Sequence, residues 1–132
     1  MTENKHEFSE LVSGMLWLIR DKTPFYQQSY AIELPHGYFV GQSASRTVIG
    51  HDAAGRLYLF VAELNTQDRG LSIPDTVALA LSLNLVNAVN LDGGGSSTFV
   101  YQGRVLSDLK DRCVSNAAER CEREVNSIIC VK

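Results

Sequence analysis

Apolar and polar positions in this chain fall into several runs with a two-residue repeat and one with a helical repeat. Ser45 to Ile49 and Arg56 to Ala62 are apolar or β-branched stretches joined by His51-Asp52-Ala53-Ala54-Gly55, the pattern of a hairpin. In the second stretch Leu57, Leu59 and Val61 line one face and Tyr58, Phe60 and Ala62 the other, which predicts a strand covered on both sides. Ser72 reads as a helix N-cap, with Pro74 in the first turn and Asp75 three residues beyond the cap. The helix is expected to run to about Asn84, burying Ile73, Val77 and Leu81 with Ala80 and Leu83 beside them. Val86 to Leu91 follows as a central strand ending at Asp92. Ser97 to Tyr101 and Arg104 to Leu106 form a second hairpin around Gln102-Gly103.

The flanks are less regular. Leu11 to Ile19 reads as a strand, with Trp17 in the core or a cleft wall. Residues Asp21 to Gly37 read as an irregular excursion with one short strand around Tyr30 to Leu34. Asp108 to Glu124 reads as a polar, cysteine-stapled loop, and Val125 to Val131 as a last strand. The fold class is α/β to α+β, a strand-rich mixed sheet with at least one helix. Strands close to both ends fit part of a larger sheet at least as well as a complete domain.

Length and charge narrow the function classes. A chain of 132 residues with 45% apolar and 20% charged positions supports one folded core and excludes global disorder. The net charge of -3, with no basic stripe, argues against a general nucleic-acid binder. Apolar runs break well before the roughly 18 residues a membrane span needs. The first ten residues lack the basic and apolar regions of a signal peptide. Cysteines crowd the C-terminal end at Cys113, Cys121 and Cys130. A bond between the first two would close a short loop and stabilise it by about 2–3 kcal/mol, leaving one thiol over. Three reduced thiols remain the alternative. His6, His36 and His51 lie far from the cysteines, so no metal site is expected.

The candidate chemistry concentrates at Asp92-Gly93-Gly94-Gly95-Ser96-Ser97-Thr98. Consecutive glycines are entropically costly, and their use is a backbone that approaches a ligand closely and offers N–H groups to an anion. Ser96, Ser97 and Thr98 add hydroxyls and Asp92 a carboxylate, a composition suited to a phosphate or a sugar. A tight turn capped by its own Asp is the plainer reading. The loop from Glu63 to Gly70 supplies two carboxylates and Arg69, which precedes a helix start. It reads equally as a solvated turn. Arg46 opens an apolar run and so needs a carboxylate or a ligand anion; an ion pair with Asp92 or Glu63 would serve. His51, in the hairpin turn, is a weaker candidate for ligand contact. Ser96 lies in no nucleophile elbow and lacks an evident His partner, which argues against serine-hydrolase chemistry.

Asn90-Leu91-Asp92-Gly93-Gly94-Gly95-Ser96-Ser97-Thr98-Phe99-Val100 resembles the signature of the phosphodiester glycosidase family. Leu11-Val12-Ser13-Gly14, Trp17 to Arg20, Ser45 to Asp52 and Gln67 to Leu71 resemble further segments of it, and the three cysteines follow its terminal pattern. Glu63-Leu64 departs from the Asp-Gly of many relatives. The resemblance implies hydrolysis of the N-acetylglucosamine–phosphate bond in a capped mannose 6-phosphate diester, on phosphorylated high-mannose glycans of lysosomal enzymes. It implies Asp92 as the acid/base or cation-stabilising carboxylate, Glu63 as its partner and Arg46 as an anion anchor. Gly93, Gly94, Gly95, Ser96, Ser97 and Thr98 would hold the diester, with Arg69 and His51 beside it. It also implies a Cys113–Cys121 disulfide, with Cys130 paired outside this chain. No cofactor or metal is expected, a homo-oligomer is left open, and the compartment implied is the secretory pathway, in the Golgi lumen. On this view residues 1–132 are the C-terminal part of a longer catalytic domain, in which an asparagine-glycine-phenylalanine segment of the earlier half joins the site. Residues 11–43 would form an edge, 44–106 the core with its site loops, and 107–132 the cysteine-containing terminal segment. The alternative is a carbohydrate- or phosphate-binding fragment without turnover, or a truncated gene product.

Overall fold

The computed structural model describes residues 11–63, 70–109 and 111–131. Five strands form the main sheet: β1 (Trp17–Arg20), β2 (Thr23–Pro24), β3 (Arg46–Asp52), β4 (Leu57–Ala62) and β5 (Leu85–Asn90). Their order across the sheet is β2-β1-β5-β3-β4, and each neighbouring pair is antiparallel. The architecture is therefore α+β, with antiparallel pairing where the sequence left parallel pairing open. Helix α1 (Tyr26–Glu33) precedes β3, and α2 (Ile73–Ser82) lies between β4 and β5. Because β4 and β5 both run antiparallel to β3, the β4–α2–β5 crossover straddles it, a split βαβ arrangement.

The local chemistry of α2 is as expected. The Asp75 N–H donates to Ser72 Oγ (3.2 Å) and the Ser72 N–H to Asp75 Oδ2 (3.3 Å), a reciprocal capping box. The helix buries Ile73, Thr76, Val77 and Ala80. Leu83, expected in that stripe, instead takes the C-cap position and is 36% exposed. Ile73, Val77 and Ala80 join Leu16, Leu18, Ile19, Val48, Leu85 and Ala88 in one apolar core, against which Tyr26, Tyr30, Phe39, Tyr58 and Phe60 pack.

Three expectations are corrected. Residues 26–33 are helical rather than irregular: Tyr26 and Tyr30, one turn apart, lie on the core, and Ser29 is buried beneath them. Leu34 ends this helix in the left-handed region (φ 48°), its N–H donating to the Tyr30 carbonyl, and Pro35 follows. The Ser29 hydroxyl accepts the Trp17 N–H and donates to Glu33, whose other oxygen accepts the Leu16 N–H (2.9 Å), so α1 is tied to β1. Next, β4 is covered only in part on its second face, where Leu59 and Val61 are half-buried. It ends the sheet among the described residues, with Tyr58 and Phe60 on the core and Leu57 exposed. Finally, residues 125–131 form no strand and carry exposed apolar side chains. The segment before them instead folds into a small hairpin, β8 (Asp111–Arg112) with β9 (Arg120–Cys121), closed by a Cys113–Cys121 disulfide with Cα atoms 4.9 Å apart. The preceding hairpin, β6 (Val100–Tyr101) with β7 (Arg104–Val105), turns at Gln102-Gly103 as expected.

Ser72→Ala should remove one member of the capping box and lower unfolding stability by about 1 kcal/mol. A urea midpoint that falls with an unchanged slope is the expected result; an unchanged midpoint contradicts the cap's contribution.

Candidate active site

The site grows from the edge of the sheet where β3 begins and β4 and β5 end. Arg46 pairs with Ala62 on β4, and Val48 pairs with Asn90 on β5, so Glu63 and Asp92 leave the same end of the sheet on either side of β3. Their strands are two spacings apart, about 10 Å.

Arg46, only 3% exposed, organises this end. Its Nε donates to the Leu71 carbonyl (3.0 Å) and its Nη2 to the carbonyls of Phe39 (3.1 Å) and Gln42 (2.7 Å). The guanidinium also lies 4.9 Å from the centre of the Phe39 ring. Burial pushes its pKa below the usual arginine value, yet an arginine remains charged. Among the described residues no carboxylate pairs with it; carbonyl dipoles and a ring face compensate the charge in place of the expected acid or anion. This geometry joins the segment after α1 to the entrance of α2.

Next to it, the buried Ser45 carbonyl accepts the Gly94 N–H (2.9 Å). A Cβ on Gly93 would lie 2.6 Å from that same oxygen, so the loop passes where only glycine fits. Gly94 has φ 58°, the second place where glycine is required. Gly94–Ser96 forms one 3-10 turn, with Ser96 and Ser97 N–H groups donating to the Gly93 and Gly94 carbonyls. Ser97 is buried and its hydroxyl accepts from Thr47 on β3 (3.1 Å). The N–H groups of Gly93, Gly94, Ser96 and Ser97 thus have partners within the protein, and the loop is a braced turn more than an open anion nest.

Asp92 stands exposed at its start. Its Oδ1 accepts the Gly93 N–H (2.8 Å), which orients the carboxylate on the loop. Glu63 accepts the Asp108 N–H (2.7 Å). With Leu59, Phe60, Val61, Phe99, Leu106 and Ser107 it lines a groove of about 310 Å³ beside the loop. His51 is not brought here. It lies in β3, not in the turn, five residues beyond Arg46 and so about 16 Å along the strand. Its Nε2 faces Asn87 Nδ2 (3.1 Å). Arg69 lies outside the described residues. Thr98 continues the loop toward the β6–β7 hairpin, half-buried.

Two side chains emerge that the sequence did not single out. Arg123 makes a paired contact with Asp111, Nε to Oδ2 at 2.6 Å and Nη2 to Oδ1 at 3.0 Å, and its Nη1 lies 3.5 Å from Ser96 Oγ. The pair covers Gly95 so closely that a Cβ there would collide with both groups. The Arg123 hydrogen bond holds the Asp111 carboxyl below its ordinary range; partial burial opposes this, and the charges of Arg123 and Arg120 add to it. In sequence, Glu122-Arg123-Glu124 looks like a solvated charge run. The available signal was spacing, since Asp111 precedes Cys113 by two residues and Arg123 follows Cys121 by two.

Two predictions follow from this geometry. Gly93→Ala should cost about 1–3 kcal/mol because its methyl meets backbone, whereas Gly95→Ala meets only the ends of two movable side chains. Denaturant midpoints should rank the two in that order, and the reverse ranking would contradict the close approach to Ser45. The Asp111 carboxyl is depressed in the folded state, so its contribution is present above the unfolded value of about 3.9 and is lost as pH falls through the lower folded value. Amide exchange at Gly95 should therefore stay flat, after correction for intrinsic rate, from about pH 8 to pH 5 and change only in stronger acid. A transition near neutrality would contradict the pairing.

The sequence pattern that defines phosphodiester glycosidases matches residues 2–132. The human N-acetylglucosamine-1-phosphodiester alpha-N-acetylglucosaminidase is 38% identical over 136 aligned positions, which cover 98% of this chain and 26% of the relative. The mouse protein of that name is 40% identical over 131 positions, covering 94% and 25%. The chain thus spans about a quarter of the length of these relatives. Among solved structures, the zebrafish catalytic domain of the same enzyme, described as auto-inhibited by its pro-peptide, superposes with a TM-score of 0.79 at 33% identity. That match covers 86% of this chain and 39% of the zebrafish one. A hypothetical protein from Synechocystis superposes with a TM-score of 0.62 at 28% identity, over 69% of this chain and 17% of its own. With the family pattern running through almost the whole sequence, this chain belongs to the phosphodiester glycosidase family.

Proposed function

We propose that this chain supplies the carboxylate-bearing part of an active site that hydrolyses the N-acetylglucosamine–phosphate bond of an N-acetylglucosamine-α-1-phospho-6-mannose diester, exposing mannose 6-phosphate. The observation that carries the reading is Asp92: a solvent-facing carboxylate, oriented by the Gly93 N–H, on a loop braced against Ser45 and Thr47. The names of the human, mouse and zebrafish relatives supply the bond to be cleaved.

The chemistry asks little of a general acid, because the leaving group is a phosphomonoester. What it requires is a carboxylate close to the sugar, to activate water or to stabilise the positive charge that develops at the anomeric carbon. Asp92 takes that role. Glu63, leaving the same end of the sheet two strands away, contributes a second carboxylate at the groove, with one oxygen engaged by the Asp108 N–H. The groove's apolar wall of Leu59, Val61, Phe99 and Leu106 suits the apolar face of a sugar ring and its acetyl methyl. Ser96 and Thr98 are the hydroxyls available to the diester. Arg46 acts here as a positioning residue, holding the loop's support rather than the ligand, and His51 takes no direct part.

The substrates proposed are phosphorylated high-mannose glycans on lysosomal enzymes, and the compartment is the lumen of the secretory pathway, in the Golgi. The Cys113–Cys121 disulfide is at home in such an oxidising compartment, and Cys130, exposed and unbridged here, would pair with a cysteine outside this chain. We place residues 1–132 in the C-terminal part of a longer catalytic domain, whose remaining part would face the same groove.

Release of N-acetylglucosamine from the synthetic diester tests the reading. Joined to the remaining part of its domain, the wild-type chain should release the sugar, and Asp92→Asn should lower that turnover at least about 100-fold without shifting the denaturation midpoint. Unchanged turnover in Asp92→Asn removes Asp92 from the chemistry. No release from that joined, folded protein, together with retained binding of N-acetylglucosamine 1-phosphate, would make the chain a binding element instead.

A further inference from the structure

We propose that Arg123 is the residue that receives the phosphate of the substrate, placed between that anion and the Asp92 carboxylate and held there by Asp111 on the disulfide-closed hairpin. The assignment rests on the reading of the site given above and adds a residue to it.

A carboxylate that acts on an anionic substrate faces an electrostatic difficulty, because bringing a phosphodiester beside Asp92 sets like charges together. A cation between them removes it. Arg46, buried among carbonyls, cannot be that cation. Arg123 can. Its guanidinium lies against the backbone of Gly95 and reaches toward Ser96 Oγ at 3.5 Å; its charged form is favoured chiefly by the Asp111 hydrogen bond, with the charges of Asp111 and Asp92 adding to it.

Its donors are also disposed for the task. Of a guanidinium's five N–H groups, two engage Asp111 and a third points at Ser96, which leaves two without an acceptor among the described residues. The side chain is 46% exposed, so these groups are within reach of a ligand. Planar, paired N–H donation is the geometry by which arginine recognises phosphate.

The arrangement is preformed. Asp111 and Arg123 leave the two ends of the hairpin that the Cys113–Cys121 bond closes, with Asp111 opposite Cys121 in register. Gly95 fits the same purpose, since a side chain at that position would displace the guanidinium from the loop.

Calorimetric binding of N-acetylglucosamine 1-phosphate and of N-acetylglucosamine to wild type, Arg123→Ala and Arg123→Lys decides the matter. Arg123→Ala should weaken the sugar phosphate by roughly 10- to 100-fold and leave the sugar unaffected, and Arg123→Lys should recover part of the loss. Equal affinity for the sugar phosphate in wild type and Arg123→Ala overturns the assignment. So does an equal loss for both ligands, which would mark a merely structural side chain, and so does the absence of sugar-phosphate binding in folded wild type. Diester turnover in the same proteins separates the two readings. Arg123-dependent binding without turnover would remove the hydrolytic function and keep the phosphate contact. Turnover and binding indifferent to Arg123 would do the opposite.

Discussion

A single buried cation sets the geometry at this end of the molecule. Placing a guanidinium out of water is unfavourable unless its hydrogen-bonding capacity is used, and Arg46 uses it on carbonyls from two separate connections. One set lies between α1 and β3, the other at the entrance to α2. The cation thereby serves as a junction between segments that have no regular structure of their own. Ser45, its neighbour, is fixed as a result, and the glycine loop leans on the Ser45 carbonyl. A chain of backbone contacts thus runs from the buried Arg46 to the exposed carboxylate of Asp92. Lysine could not replace it, because a single ammonium cannot span three carbonyls with a planar fork.

Much of this was legible in the order of residues, for reasons that differ by element. The β3–β4 hairpin, α2 and β5 could be read because their apolar spacing, cap and turn chemistry agree locally. Helix α1 could not, since its buried face consists of two tyrosines and a serine, and its stability comes from Ser29 and Glu33 reaching β1. The apolar tail at 125–131 misleads because β-branched residues read as a strand even where no neighbour pairs with them, and pairing is what makes a strand. At the site, Asp92 and the glycines declared themselves by composition. The use of the glycines was less visible: two of them permit close approach to backbone and to an ion pair, while most of the loop's N–H groups are satisfied internally. Arg123 was hidden because its importance arises only when the disulfide folds it back over residues far away in sequence.

The site is built from opposing charges kept at short range. Asp111 and Arg123 pair over Gly95, and Asp92 stands at the start of the same loop on the Gly93 N–H, so the electrostatics are set by a few side-chain termini. A separate groove, lined by Leu59, Phe60, Val61, Glu63, Phe99, Leu106 and Ser107, lies at the same end of the sheet. Under the function proposed above, the anionic part of the diester would meet the charged side chains and its sugar the groove.

The sheet order carries a further consequence, for the course of folding. The β3–β4 hairpin closes over a short turn and α2 is local, but β1 joins the sheet only by reaching β5, with Asn90 gripping the Met15 carbonyl across 75 residues of chain. Closing so long a loop is entropically expensive, so a nucleus of β3, β4, α2 and β5 can assemble before β1 docks. Trp17, the molecule's single tryptophan, sits in that late strand against Phe25. Its fluorescence is therefore a clock for the closing step of folding and is silent about the opening ones.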